Sequence, residues 1–412
     1  AGSFSDWSKL TKLTISGNTL TSIGSKAFEN AALLADVYAE PTTAPAVQAD
    51  SFSGAGTSVQ GSKTFHVASV EAYSSWTTAA SGYTMEALGP DYLSEGLYYR
   101  ASGEDPWKSE IPQTFTTLYV KTAGDNTVMT AEQMKAVADA VKALAAPATV
   151  DFSEVVYESE TFPNSFKSNA NLAGIVFPQN VTKTASAAFQ KTGMTSVTLL
   201  KGISYGSNAF DSCASLVSVT VEEGVTEIGN YMFQNTKLTD VTLPNSVTKI
   251  GASAFNGCSL TTINFGQGVK TIENSAFQNC GELTEIILPD ATETLGQNAF
   301  GDCPKLAKIS LGKNMKTLEA YCFVGYSKGC PLLGDIICRA TTPPTLKDDY
   351  GTGPFGGGWS PVAGKDVPAE NRIIHLPKSA DLVGGTGAYA DSSWVKLTSS
   401  TYGFAFKYDV EG

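Results

Sequence analysis

A phenylalanine returns along most of this chain at intervals of 21 to 23 residues. The series consists of Phe166, Phe189, Phe210, Phe233, Phe255, Phe277, Phe300 and Phe323. A fixed period of this length is typical of a solenoid, in which one supersecondary unit stacks on the next. Because a single unit cannot bury its own apolar face, the stack itself must form the core.

Each repeat combines a strand phrase with a phenylalanine phrase. In Leu238–Leu243 apolar and polar residues alternate, as a half-buried strand requires, and Pro244 ends the strand. In Thr248–Phe255, Gly251 predicts a turn with positive φ, and the Ala254–Phe255 pair predicts a short helical turn. Parallel stacking of such units predicts short parallel strands along one face of the solenoid.

The two phrases, L-x-x-[VI]-x-[LF]-P and [TV]-x-I-G-x-x-A-F-x-x-C, resemble those of the BspA-like leucine-rich repeat family. The resemblance covers residues 1–80 and about 149–400. It implies a β-rich leucine-rich-repeat solenoid with short helical turns and irregular segments between the strands. It also implies an exported, surface-attached protein of bacteria or some protists, with no shared catalytic residues and with a role in adhesion or protein binding.

Two arrays with similar C-terminal caps are expected, because Phe4 and Phe28 are spaced like a repeat and each array ends in a related segment with a tryptophan. Thr130 and Gln133 form a capping box that opens a helix, which is expected to cap the second array or to serve as a linker. The predicted domains are the end of a first array with its cap (1–80), a connector with strands (81–129), a capping helix (130–147), a second array (148–339) and its cap (340–412).

Charge and hydropathy exclude several classes of function. The formal net charge is -12 and only three arginines occur, which argues against nucleic acid as a partner. The sequence contains no run of about 18 apolar residues, so no membrane-spanning segment is predicted. Residue 1 falls inside a repeat and no signal peptide opens the chain, so any export signal is expected outside this sequence.

Five of the seven cysteines share one position in the repeat. Cys213, Cys258, Cys280 and Cys303 follow the repeat phenylalanine by three residues, and Cys330 takes the same place after a four-residue insertion. We expect small buried side chains with weak S–H donors. Disulfides between neighbouring rungs are the alternative, but parallel Cβ vectors would strain them. The sequence contains no C-x-x-C pair, so no zinc site is predicted.

No catalytic residue, metal or cofactor is expected. His66 and His375 occupy the same place in the two caps, which favours a structural role over a general base. Gly351–Gly356 spells G-x-G-x-x-G, but it follows no strand and contains Pro354, so it is interpreted as accidental. Asp348 and Asp349 lack further spaced oxygen ligands for Ca²⁺.

The open strand face is the candidate binding surface, since repeat arrays commonly bind through it. Counted along the pleat, it comprises Ser196, Thr198, Ser218, Thr220, Asp240, Thr242, Thr262, Asn264, Glu285, Ile287, Lys308, Ser310, Asp335 and Arg339, with Lys12, Thr14, Asp36 and Tyr38 in the first array. The alternative is that threonine simply suits exposed strands. The expected function is a non-catalytic, exported cell-surface adhesion module for a protein or glycan. A structural spacer is the main alternative, and an enzyme is the third.

Overall fold

The computed structural model contains two compact units, residues 1–110 with 121–127 and residues 111–120 with 128–412. It describes residues 8–15, 20–39, 43–60, 62–67, 70, 72–76, 79, 82–87, 96–123, 127–325, 329–348, 353–356, 363, 365–366, 371–378, 389, 392–399, 402 and 404–410. Phe4, Asp349 and the first two residues of the Gly351–Gly356 motif lie outside them. The domain boundaries drawn from the sequence stay predictions.

The first unit carries a four-stranded parallel sheet. The strands of this unit are β1 (Lys12–Ile15), β2 (Ser22–Ile23), β3 (Asp36–Ala39), β4 (Ala46–Val47), β5 (Thr64–Val67), β6 (Thr84–Ala87) and β7 (Gly96–Arg100), with a 3-10 helix at Ser74–Trp76. Strands β1, β3, β5 and β6 pair in that order, and the short strands β2 and β4 pair separately. Behind the sheet, Phe28 stacks on Phe52 with ring centroids 4.9 Å apart.

The remaining elements alternate long strands with two-residue strands, as a repeat of two phrases predicts. They are β8 (Thr117–Ala123), α1 (Ala131–Ala143), β9 (Ala148–Glu154), β10 (Thr161–Phe162), β11 (Leu172–Val176), β12 (Lys183–Thr184), β13 (Ser196–Leu199), β14 (Ser218–Val221), β15 (Glu227–Ile228), β16 (Asp240–Thr242), β17 (Lys249–Ile250), β18 (Thr262–Asn264), β19 (Thr271–Ile272), β20 (Glu285–Ile287), β21 (Thr294–Leu295), β22 (Lys308–Leu311), β23 (Thr317–Leu318), β24 (Asp335–Cys338), β25 (Thr345–Leu346), β26 (Ile373–Pro377), a 3-10 helix at Ser393–Thr398, and β27 (Ala405–Val410). The predicted solenoid of stacked parallel strands is confirmed.

The long strands of the second array form one face, but their sheet is interrupted. β9 pairs with β11, β13 with β14, and β16 with β18, whereas β20, β22, β24, β26 and β27 form one five-stranded sheet. The short strands form a more continuous six-stranded ladder from β15 to β25. Along residues 127–325, ladder pairing is therefore absent between β11 and β13, β14 and β16, and β18 and β20.

Helix α1 begins with the predicted capping box. The backbone N–H of Gln133 donates to Thr130 Oγ1 at 3.2 Å, and the backbone N–H of Thr130 donates to Gln133 Oε1 at 2.8 Å. Its apolar side, including Met134 and Val141, is buried. The amide nitrogen of Asn169, in the following repeat, donates to the carbonyl oxygen of Ala138 at 2.8 Å. The helix is thereby fixed on the repeats that follow it, and its role as an N-terminal cap stays a prediction.

The repeat phenylalanines form one continuous stack inside the array. From Phe189 to Phe323 successive rings are 5.2–6.3 Å apart and inclined by 4–18°. Offset stacking at these distances adds to the burial of apolar surface. Each of these phenylalanines is at most 1% exposed, as the periodicity predicted.

The backbone around each phenylalanine corrects the prediction for Gly251. Gly251 does not have a positive φ; Ser253 does, at 54°, and so does Gly257, at 72°. Residues two before and two after the phenylalanine adopt this conformation in most repeats, whether or not they are glycine. The N–H groups of Ser253, Phe255 and Gly257 consequently donate to three carbonyls of the next repeat. Gly251 is needed for another reason: a Cβ there would lie 2.5 Å from Asn230 Oδ1.

The cysteines behave as the sequence predicted. All seven are free and buried. Cys258 Sγ donates to the carbonyl oxygen of Phe233 at 3.1 Å, and Cys280 Sγ to that of Phe255 at 3.2 Å. The five thiols that share the repeat position each donate to the carbonyl of the phenylalanine of the preceding repeat and help to hold one rung on another.

Candidate functional site

The residues predicted as a binding face occupy outward positions on the long strands and form two rows across them. The first row contains Ser196, Ser218, Asp240, Thr262, Glu285, Lys308 and Asp335. The second row contains Thr198, Thr220, Thr242, Asn264, Ile287, Ser310, Ile337, His375 and Lys407. Because side chains alternate along a strand, the two rows are separated by one inward residue in each repeat.

Ser310 is the exception among these positions, since it is only 8% exposed. It lies in register between Ile287 and Ile337 on the neighbouring strands. A short side chain flanked by two long ones is shielded, although the pleat directs it outward. The expectation that Ser310 is presented to a partner is therefore wrong.

Arg339 follows β24 and reaches back across two repeats. Its Nη2 donates to the carbonyl oxygen of Leu288 at 2.8 Å, and its Nε to that of Leu311 at 3.3 Å. Its Nη1 lies 3.2 Å from Asp290 Oδ1. The guanidinium is largely occupied by these groups and braces the strand ends.

The C-terminal part of the face carries a line of alternating charges, which we call the charged segment. It consists of Glu285, Lys308, Asp335, His375, Asp409 and Lys407. Lys308 Nζ lies 3.2 Å from Glu285 and 4.0 Å from Asp335, and Lys407 Nζ lies 2.9 Å from Asp409. Since these charges face one another, the segment presents little net charge.

The N-terminal part of the face is almost uncharged. The positions on β13, β14, β16 and β18, which we call the hydroxyl segment, are Ser196, Thr198, Ser218, Thr220, Asp240, Thr242, Thr262 and Asn264. All eight are exposed, and Asp240 alone among them is charged. Short hydroxyl and amide side chains of this kind lose little conformational entropy when a partner covers them.

Two grooves flank the hydroxyl segment, both where the strand ladder is interrupted. The first groove, of about 480 Å³, lies between β11 and β13 and includes Gly174, Val176 and Thr198 among its lining residues. The second, of about 380 Å³, lies between β18 and β20 and includes Asn264 and Ile287. Val176 is 43% and Ile287 59% exposed, so each groove presents an aliphatic side chain to solvent.

Sequence reasoning missed Gly174 and Val176. They occupy the positions in Leu172–Phe177 that Asp240 and Thr242 occupy in Leu238–Leu243. Extending the same count by one repeat would have found both. Asp290, which also lines the second groove, lies beyond its strand, and the strand count carries no signal for it.

In the first array, the equivalent face is aromatic and charged. Lys12 Nζ lies 4.5 Å from the ring centroid of Tyr38, which stacks on His66 at 4.4 Å. Burial, and then the nearby carboxylate of Asp36, raise the pKa of Tyr38. Thr14 lies in register with Tyr38 on β1. The four residues predicted here are brought together on two neighbouring strands.

Among the described residues, no group of three or more histidine, cysteine or acidic side chains is arranged to hold a metal ion. In that part of the chain no helix has the length and apolarity that a membrane crossing requires. Burial raises the pKa of Cys258 to about 11, although a hydrogen bond with Thr236 opposes the rise, so this thiol is a poor nucleophile.

Among solved structures, the chain is similar to several bacterial repeat proteins. A leucine rich cell surface protein from Faecalibacterium prausnitzii is 18% identical, with 80% of this chain and 87% of that chain covered and a TM-score of 0.35. A leucine-rich repeat protein from Eubacterium ventriosum is 17% identical, with coverages of 82% and 86% and a TM-score of 0.33. The pneumococcal vaccine antigen PcpA is 16% identical, with coverages of 73% and 96% and a TM-score of 0.31.

No curated protein sequence matches the chain. The BspA type leucine rich repeat region matches it in six copies, over residues 1–60, 150–205 and 203–329. These ranges cover more than half of the chain and coincide with the stacked phenylalanines and parallel strands. The chain belongs to the family of BspA type leucine-rich repeat proteins.

Proposed function

We propose that this protein is a non-catalytic binding module of a bacterial cell surface, which holds a protein partner on the strand face of its second array. The observation that carries the proposal is the hydroxyl segment, which is exposed, nearly uncharged and flanked by two grooves. Family membership supports export and binding, since leucine-rich repeat proteins generally act by contact and not by catalysis.

The chemistry of this surface favours a protein over a glycan. Charged residues are depleted in the centres of protein interfaces, and apolar contacts at those centres supply much of the affinity. The exposed aliphatic side chains of Val176 and Ile287 provide such contacts on either side of the hydroxyl segment. Sugars are commonly bound by stacking on aromatic rings, and neither row of the second array contains a phenylalanine, tyrosine or tryptophan.

A substitution in the hydroxyl segment tests this proposal. We expect Thr220→Arg to abolish binding, because the exposed Thr220 belongs to the hydroxyl segment and lines the first groove, where a long charged side chain would obstruct a closely fitted partner. Thr226→Arg is the matched control, since Thr226 is also exposed but precedes the short strand β15. Binding is measured by surface plasmon resonance against a panel of extracellular matrix proteins and glycans.

Retention of one or more proteins by the wild type and by Thr226→Arg, with loss in Thr220→Arg, is the expected result. If both variants bind as tightly as the wild type, the strand face is not the binding surface. Binding to glycans alone would replace the proposed partner class. Absence of binding to every probe would favour the structural spacer.

A further inference from the structure

Strand β27 is the last strand of its sheet, in which β20, β22, β24, β26 and β27 follow one another. Among the residues that the structure describes, it has a strand neighbour on one side only, which is β26. The backbone N–H of Ala405 donates to the carbonyl oxygen of Arg372 on that side at 2.9 Å. Because backbone groups alternate in direction along a strand, those of Phe406 point to the open edge. An edge of this kind is a template for a further strand.

The core-facing side chains of β27 are less well covered than those of the strand before it. Ile374 and Leu376 on β26 are completely buried. Phe406 and Tyr408, which lie in register with them on β27, are partly exposed. In a solenoid each rung is covered by the next one. A strand added at the open edge of β27 would therefore cover two aromatic side chains.

The outward side chains of β27 carry one charge of each sign. Lys407 is 59% exposed, and its Nζ lies 2.9 Å from Asp409 Oδ2. A bulge offsets the ladder between β26 and β27 near Asp409, but this side chain keeps to the outward face, since it contacts both Lys407 and His375. The two charges thus lie at equal distances along the strand on either side of Tyr408 and are opposite in sign.

We propose that β27 pairs with β27 of a second copy of this chain, in an antiparallel arrangement that sets Tyr408 opposite its own equivalent. A two-fold axis through Tyr408 makes Lys407 of each copy face Asp409 of the other. An axis through Lys407 or through Asp409 would instead set like charges against each other. The charges of the strand therefore select one symmetric register.

The backbone of β27 suits the same register. In an antiparallel pair, hydrogen-bonded and non-hydrogen-bonded positions alternate along each strand. Because the backbone groups of Phe406 point to the open edge, Phe406 takes a hydrogen-bonded position and Lys407 a non-hydrogen-bonded one. Facing side chains approach most closely at non-hydrogen-bonded positions. Two ion pairs related by the axis, each between Lys407 and Asp409, would form there, and opposite charges at facing positions stabilise a strand pair.

This interface is small, because it consists of a single pair of strands with the side chains beside them. We expect weak association, with a dissociation constant on the order of 10–100 µM. The pairing does not rest on the proposed binding of a protein partner, since β27 lies outside the hydroxyl segment.

Sedimentation velocity of the full chain, at concentrations that span this dissociation constant, tests the pairing. The wild type should pass from monomer to dimer. Lys407→Asp and Asp409→Lys should each weaken self-association by at least about tenfold, because like charges then face each other. An equimolar mixture of the two variants should associate as the wild type does, since two acidic positions on one copy then face two basic positions on the other.

Lys305→Asp is the matched control for the change in charge. Lys305 forms an exposed ion pair with Glu282, with 2.6 Å between Nζ and Oε2, at a site away from β27. The same reversal of charge at this position should leave the dissociation constant of the dimer unchanged. A loss of association equal to that of Lys407→Asp would mean that net charge, and not the facing of two strands, governs association.

A wild type that stays monomeric at the highest concentration would overturn the proposal. So would a mixture of Lys407→Asp and Asp409→Lys that associates no better than either variant alone, or dimers that persist unchanged in both. If the substitutions loosen β27 itself, hydrogen exchange of the wild type decides. Amide protection in residues 405–410 must rise with protein concentration, and protection that is independent of concentration would rule out the strand pair.

Discussion

The indole nitrogen of Trp394 donates a hydrogen bond of 2.7 Å to the carbonyl oxygen of Pro344. Trp76 makes the same bond, at 2.8 Å, to the carbonyl oxygen of Pro45. In both units a tyrosine packs edge-on against the tryptophan, with ring centroids 4.9 Å apart for Tyr73 and 5.5 Å for Tyr389. The two arrays therefore close with the same device, as the matching C-terminal segments of the sequence predicted.

Trp394→Phe should separate the hydrogen bond of this cap from its packing. Phenylalanine retains most of the buried ring surface but leaves the carbonyl of Pro344 without its donor. We expect a loss of about 1–3 kcal/mol in the free energy of unfolding, measured by urea denaturation with circular dichroism. A variant as stable as the wild type would show that solvent reaches this carbonyl and that packing alone closes the array.

Phe255→Ala tests whether the loss of one side chain destabilises only the neighbouring repeats. The ring of Phe255 lies 5.5 Å from that of Phe233 and 5.2 Å from that of Phe277, and it is completely buried. Removing it leaves a cavity, which typically costs about 3–5 kcal/mol. Because each repeat contacts only its neighbours, hydrogen exchange should rise mainly at residues 231–235 and 275–279. Phe255→Leu is the control, expected to cost less than Phe255→Ala because it leaves a smaller cavity.

An equal rise in exchange along the whole second array would contradict this local response. It would mean that the array unfolds as a single cooperative unit, despite its repeat construction.

The sequence predicts the parts of this fold that recur with a fixed spacing. The period of Phe255 and its equivalents identifies the core, and the alternation around Val241 identifies the outward rows. It does not predict that Ser253 takes the positive φ, because serine has no marked preference for that conformation and the neighbouring repeats impose it. Nor does it predict the burial of Ser310, which depends on side chains 23 and 27 residues away that become neighbours only in the stack.

The candidate site was less predictable than the fold for a similar reason. The grooves arise where ladder pairing is interrupted, and β18 and β20 have the same pattern of residues as strands that do pair. A repeat pattern defines which side chains face outward, whereas small differences in the stacking of two rungs decide where a groove opens.

Gly251→Ala tests the close approach between neighbouring rungs. The new Cβ would lie 2.5 Å from Asn230 Oδ1 and 2.8 Å from the backbone nitrogen of the same residue. Asn230 Oδ1 also accepts a hydrogen bond from the N–H of Ala252, so relief of the clash would disturb that bond. We expect a loss of about 1–3 kcal/mol in urea denaturation.

Gly281→Ala is the matched control for this substitution. A Cβ at Gly281 would have no neighbour within 4 Å, and its φ is not positive. We expect a change within about 0.5 kcal/mol. Equal losses in the two variants would show that glycine flexibility, and not close approach, determines the cost.

Alkaline pH should destabilise the array through its buried thiols. Burial raises the pKa of Cys258 to about 11, with a hydrogen bond between the thiol and Thr236 acting in the opposite direction. In the unfolded chain a cysteine has a pKa of about 8.5. Between these values the unfolded state loses its proton first, so stability should fall as pH rises by about 1.4 kcal/mol per pH unit for each such thiol.

Urea midpoints measured from about pH 8 to about pH 10.5 test this dependence. Cys258→Ala will lower stability at every pH, because the site loses volume and the hydrogen bond to the carbonyl of Phe233. Its free energy of unfolding should nevertheless fall less steeply with pH than that of the wild type, by the contribution of one thiol. Cys280 and Cys330, whose pKa values burial also raises, continue to contribute in that variant. Parallel slopes in the two proteins would show that Cys258 ionises in the folded state as readily as in the unfolded one.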